Sequence, residues 1–157
     1  MRVLQCVFLF CALVGTVAAQ STSHDMRLVK PAWNAVGPNL LPGAEISVLQ
    51  GDLSKPELFT FRLRMPKGYV VAPHYHGTDL HVTVISGAFS AGMGDTVELA
   101  GAPILQAGDF VTVPANQHHF DAARSAAVIQ IYGMGPFSLT YVNSNDDPQR
   151  KQPAGGK

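Results

Sequence analysis

Three histidines, His74, His76 and His81, fall within eight residues of an apolar, β-branched run, "GYVVAPHYHGTDLHVTVISG", Gly68 to Gly87. Two more, His118 and His119, close the segment "GDFVTVPANQHHF", so five of the six histidines sit in two short stretches. On an extended strand, side chains two apart share a face, so His74 and His76 project together while Tyr75 turns the other way. Two imidazoles side by side at the end of a buried strand are costly unless they are paired, hydrated or bound to a cation. A metal ion with imidazole ligands answers that cost. A further ligand must come from elsewhere in the fold. The second segment repeats the order strand, proline, histidine and offers His119, whereas its neighbour His118 faces the opposite way on a strand.

The elements that must position these groups read as strands. From Ala44 the chain is a series of short β-like runs divided by Gly and Pro: "AEISVLQ", "ELFTFRLRM", "GYVVAPHYH", "LHVTVISG", "AFSAGM", "DFVTVPA", "HHFDAAR", "AAVIQIYG" and "PFSLTYV". About nine strands and no helical periodicity predict an all-β sandwich or barrel. Phe59, Phe61, Leu63 and Met65 alternate with Thr60, Arg62 and Arg64, which places one face in a core and the other in water. Phe137, Leu139 and Tyr141 alternate likewise with Ser138 and Thr140. The Gly-rich "GMGDTVELAGAPILQAGD" reads as a surface connection between the two histidine segments. Residues 20–43 form an arm that packs Trp33 on the 44–142 barrel, and the polar tail 143–157 is expected to be disordered.

Apolar residues make up 46% of the chain and charged ones 14%, enough for one globular core. The N-terminus "MRVLQCVFLFCALVGTVAAQ" has Arg2, an apolar run and small residues before Gln20, and reads as a signal peptide over 1–19, cleaved after Ala19. The run is shorter than the about 20 residues of a membrane-spanning helix. The expected localisation is therefore periplasmic or secreted, with no membrane as partner once the signal is removed. Both cysteines, Cys6 and Cys11, leave with that segment, which excludes disulfide and thiolate chemistry in the mature chain. Cleavage removes Arg2 and no acid, so 11 basic residues become 10 against 11 acidic ones. A near-neutral chain without a basic run gives no electrostatic reason to expect nucleic acid.

"Gly68-x5-His74-x-His76" running to Gly87, followed by "Gly108-x5-Pro114-x-Asn116-x2-His119", resembles the paired motifs of the cupin superfamily, G(x)5HxH(x)3–4E(x)6G and G(x)5PxG(x)2H(x)3N. The likeness is close over Gly68 to Asp121. The chain is also similar to small secreted bacterial cupins that read "HxHPTDE(H/N)VTVLSG" and end "GPFxxxYVNxxDDP". The resemblance implies a double-stranded β-helix, or jelly-roll-like, barrel with one divalent metal held by His74, His76, His119 and one more ligand. It further suggests pairing of barrels into a homodimer.

Three positions depart from the family pattern. Counting back from Gly87, the glutamate slot falls on Leu80, which cannot ligate, and His81 stands beside it. Asn116 replaces a motif glycine, as a residue that enters left-handed backbone conformations readily. Ala123 stands where the last motif asparagine would be. Alternation in "LHVTVISG" puts Leu80, Val82 and Val84 on one face and His81, Thr83 and Ile85 on the other, and does not say which faces inward. His81 is taken as the fourth ligand, the imidazole next to the gap; Asp79 is a turn residue that could alternatively supply a carboxylate.

Imidazole ligands without thiolate suit Zn, Fe, Mn, Ni or Cu. Protons compete for such ligands, so binding is expected to weaken as pH falls through about 6. An open metal position implies metal-dependent catalysis of oxygenase or isomerase type on a small organic substrate, whereas four closed imidazoles imply a non-catalytic metal or small-ligand binding or sensing protein. No G-x-S-x-G or H-E-x-x-H motif is present. Gln130, Tyr132 and Tyr141 are the expected lining residues by alternation.

Overall fold

The structure, a computed structural model, describes residues 28–151; the 1–19 signal and His24 lie outside these residues. Two antiparallel sheets face one another around a single core. Among the described residues eleven strands follow in chain order: β1 (Asn34–Ala35), β2 (Glu45–Gln50), β3 (Leu58–Met65), β4 (Val70–Tyr75), β5 (Leu80–Ser86), β6 (Ala88–Met93), β7 (Leu105–Gln106), β8 (Phe110–Val113), β9 (His119–Ala123), β10 (Ala127–Met134) and β11 (Thr140–Tyr141). The larger sheet runs β1-β2-β3-β10-β5-β8 and the smaller β11-β4-β9-β6-β7.

The alternation on β3 is realised: Phe59, Phe61, Leu63 and Met65 are buried, while Arg62 and Arg64 face outward and bond Gln130 and Glu45. The arm joins the larger sheet, since Asn34 and Ala35 of β1 pair with Ile46 and Glu45. Trp33 lies under the Arg64 guanidinium, 4.5 Å from ring centroid to Cζ. The Gly-rich connection carries a short strand at its end, β7, paired with β6.

The start of the tail departs from the expectation of disorder. Ser144–Asp146 form a 3-10 turn and Pro148–Lys151 a short helix, α1. Asn143 Oδ1 accepts from Asn145 N and Asp147 Oδ1 from Gln149 N, so these side chains satisfy turn donors and Pro148 occupies a first helical position. Local capping outweighs the polar composition there.

Gly87, where β5 turns into β6, has φ +79°, and a Cβ built on it would lie 2.1 Å from the Ala126 carbonyl oxygen. Asn116 occupies the left-handed region at φ 60°, as its place in the second motif requires. The Gly87→Ala variant combines unfavourable backbone geometry with a clash against main chain. It is expected to lose about 2 kcal/mol or more of unfolding free energy in denaturant titration.

Candidate metal centre

The smaller sheet delivers the histidines. His74 of β4 sits directly opposite His119 of β9, and Tyr141 of β11 flanks His74 on the other side. Between the pairs Val71↔Asp121 and His74↔His119, β4 carries one residue more than β9. Such a bulge re-aims side chains, and Pro73 inside it has no N–H to lose from the ladder. Val71 and His74 consequently both line the interior, followed by His76 two residues on. The Asn116 N–H donates to the His76 carbonyl at 2.8 Å and Ala115 N–H to Asp79 Oδ1 at 2.7 Å, which ties the two motif turns together. Asp79 is thus a brace between turns and faces away from the cluster.

His74, His76 and His119 are 1%, 5% and 1% exposed, with one nitrogen of each within 4.8 Å of the others. Each Nδ1 meets a backbone carbonyl: His74 with Ala72 at 2.8 Å, His76 with Ser138 at 2.6 Å and His119 with Gln117 at 2.9 Å. A carbonyl only accepts, so each Nδ1 carries the hydrogen, and in the neutral ring Nε2 then presents a bare lone pair. Three converging buried lone pairs cannot satisfy one another. They fit a divalent metal, whose histidine ligands commonly donate their other N–H in this way.

His81 is not part of the cluster. Leu80, Val82 and Val84 are buried and His81 points outward, its Nδ1 3.3 Å from Thr112 Oγ1 and its ring stacked between Tyr132 and Phe110 at 4.8 and 6.0 Å. The inward place goes to Leu80 because its partner across the strands is Gly133, which leaves room for it. His118 also faces outward, as expected, bonded to Asp95 at 2.7 Å and stacked on Tyr75. Gln130 and Tyr132 lie on the outer face of the larger sheet rather than in the interior. Tyr141 packs 6.3 Å from His74, with its hydroxyl donating to Asn39 O.

A carboxylate stands beside the three histidines on the second motif. Asp121 follows His119 by two on β9, shares its face, lines the cavity and places Oδ2 3.8 Å from His74 Nε2. The alternation in "HHFDAA" carried that signal. Phe120 between them points to the other face, where it fills the space that a Cβ at Gly92 would take.

No family model matches the sequence, and no curated protein does. Solved structures do. The polyketide cyclase RemF from Streptomyces resistomycificus superposes with TM-score 0.64 at 13% identity, over 82% of this chain and 95% of that one. An RmlC-like cupin from Shewanella frigidimarina gives 0.54 at 18% identity, over 73% and 93%. The chain has the cupin fold. A third match is a variant of the salicylate 1,2-dioxygenase from Pseudoaminobacter salicylatoxidans in complex with gentisate, at TM-score 0.55 and 17% identity, over 66% of this chain and 30% of that one.

The cupin interior sets the charge state of the site. Burial, reinforced by the neighbouring histidines, lowers His74 from the ordinary 6.5 to about 2. Burial lowers His76 to about 4, against the opposing pull of the Ser138 carbonyl. Both are neutral at pH 6, so protons compete with a metal only at lower pH than the sequence leads one to expect. Asp121 moves the other way: burial raises it from 3.8 to about 6, with His119 opposing.

In metal-free protein the unfolded imidazoles take up protons below pH 6.5 while the folded ones do not, so their contribution to stability falls with acid. The folded Asp121 carboxyl takes its proton near 6 and the unfolded one near 3.8, so it adds stability as pH falls through that window. Asp121→Asn removes this offset. Its melting temperature is expected to fall more steeply than that of the wild type between pH 6.5 and 4, by calorimetry in the presence of chelator; parallel curves would mean an Asp121 carboxyl that is not raised by burial.

Proposed function

We propose that the protein is a metal-dependent enzyme of oxygenase or isomerase type that acts on a small organic molecule inside the barrel, in the periplasm or outside the cell. The observation that carries this reading is the convergence of three buried imidazoles on one wall of an internal cavity of about 250 Å³. A closed set of four protein imidazoles would favour a storage or sensing role, and His81 is turned away from the cluster.

His74, His76 and His119 would hold a divalent Zn, Fe, Mn, Ni or Cu ion, with Asp121 beside them on the cavity wall. Such an ion, when bound, supplies Lewis acidity or activation of water or dioxygen. The carbonyls of Ala72, Ser138 and Gln117 fix the ring orientations. Asp121, with its carboxyl raised to about 6, can hold or take up a proton at Oδ2 near neutral pH, the property of a general acid or base. The apolar walls exclude water from the reacting groups. That RemF is a polyketide cyclase and another match a salicylate dioxygenase supports an organic, aromatic-sized substrate for this fold without fixing the reaction.

Metal content of the mature protein by elemental analysis, followed by oxygen-uptake and proton-exchange screens over neutral phenols and dicarbonyls, tests the reading. One metal per chain with turnover is expected. Truncating His74 or His119 to Ala should weaken the metal by about 100-fold or more, and His81→Ala should match the wild type. Stoichiometric metal with no turnover in any class would favour the binding protein, and equal affinity in all variants would remove the metal centre.

A further inference from the structure

The cavity beyond the histidines carries information about what enters it. Of the residues that line it, all but His74, His76, His119, Asp121, Asn39 and Gly37 are aliphatic or phenylalanine. His74, His76, His119 and Asp121 stand together, and Asn39 belongs to the 36–40 segment that also lines the cavity. That segment is pinned by Tyr69 and Tyr141, whose hydroxyls donate to the carbonyls of Leu41 and Asn39. No lysine or arginine is among the described lining residues. The arginines of β3 point to the opposite face, toward Gln130 and Glu45.

We propose that the cavity selects a molecule with one oxygen-bearing head, set toward the histidines and Asp121, and an uncharged, otherwise hydrocarbon body. This rests on the proposed catalytic reading for the role of the head, while selection of the body follows from the walls alone. A second charged or strongly hydrated group would be buried against Leu63, Val82, Ile129 or Ile131 without a partner, at a cost that excludes it. Sugars, phosphate esters, amino acids and dicarboxylates are thereby rejected. Size narrows the class further: an apolar cavity of about 150 Å³ holds benzene, so about 250 Å³ admits a body of about ten non-hydrogen atoms. The space fits a substituted phenol, a short cyclic ketone or a small terpenoid-like alcohol.

The test compares 4-isopropylphenol with 4-hydroxybenzoate, equal in non-hydrogen atoms, by equilibrium dialysis against the mature protein, metal-loaded and metal-free. Whichever end of 4-hydroxybenzoate meets the histidines, its other polar group lies against hydrocarbon. The phenol is expected to bind at least about tenfold tighter to the metal-free protein, where no bound cation offsets the carboxylate. Ile46 on β2 is half-buried and lines the cavity, so Ile46→Arg supplies the missing cation and should shrink or reverse the preference without disturbing the histidines. Equal binding of the two probes to the metal-free protein, stronger binding of the benzoate there, or a preference unchanged in Ile46→Arg would overturn the proposal. Metal content measured on the same samples separates it from the catalytic reading: the preference in a protein that takes up no metal supports apolar selection and counts against the metal enzyme. Metal uptake without the preference does the reverse.

Discussion

Three hydrogen bonds from imidazole Nδ1 to backbone carbonyls decide which nitrogen each histidine turns to the interior. Ala72, Ser138 and Gln117 belong to three separate segments of chain, so the cluster depends on the smaller sheet being assembled and correctly registered. Because a carbonyl accepts and cannot donate, these bonds set the tautomer as well as the ring angle. The exposed consequence is three bare Nε2 lone pairs in a place that water-solvated histidines would avoid. Burial then holds His74 and His76 neutral, the state in which they can ligate.

The sheet meets this demand through a local irregularity. Regular pairing of β4 with β9 would not bring Val71 and His74 to the same interior face, and the bulge between them does. Pro73 suits the bulge, and the Ala72 carbonyl within it receives the His74 Nδ1–H. On the partner strand the alternation is regular, which sends His119 and Asp121 inward together and Phe120 outward over Gly92. The carboxylate and imidazoles therefore meet at one wall, while strands of the larger sheet supply much of the hydrocarbon that surrounds the remaining space.

Much of this was legible in the residues. Periodicity on β3 identified the core face, and the H-x-H spacing with Pro114 and His119 identified the three buried imidazoles. The expectation of His81 as a fourth ligand fails for a definable reason. Both faces of "LHVTVIS" are compatible with a strand, and the choice between Leu80 and His81 is made by partners distant in sequence: Gly133 makes room for Leu80, while Tyr132 and Thr112 engage His81 outside. The place of Asp121 beside the histidines is legible from its spacing to His119 on a strand, two residues on and therefore on the same face. The β1 pairing depends on an edge that forms only in the folded sheet, and the turn after Asn143 depends on side-chain caps that composition hides.

The alignment of lone pairs is the claim on which both the metal centre and its chemistry rest. Long-range proton–nitrogen correlation of the metal-free protein at neutral pH, followed by addition of one equivalent of zinc, reads it directly. The account predicts His74, His76 and His119 with protonated Nδ1 and unprotonated Nε2, and zinc-induced shifts centred on those three Nε2 atoms while His81 and His118 hold their positions. A proton on any of the three Nε2 atoms, or a zinc response confined to His81 or His118, would contradict it.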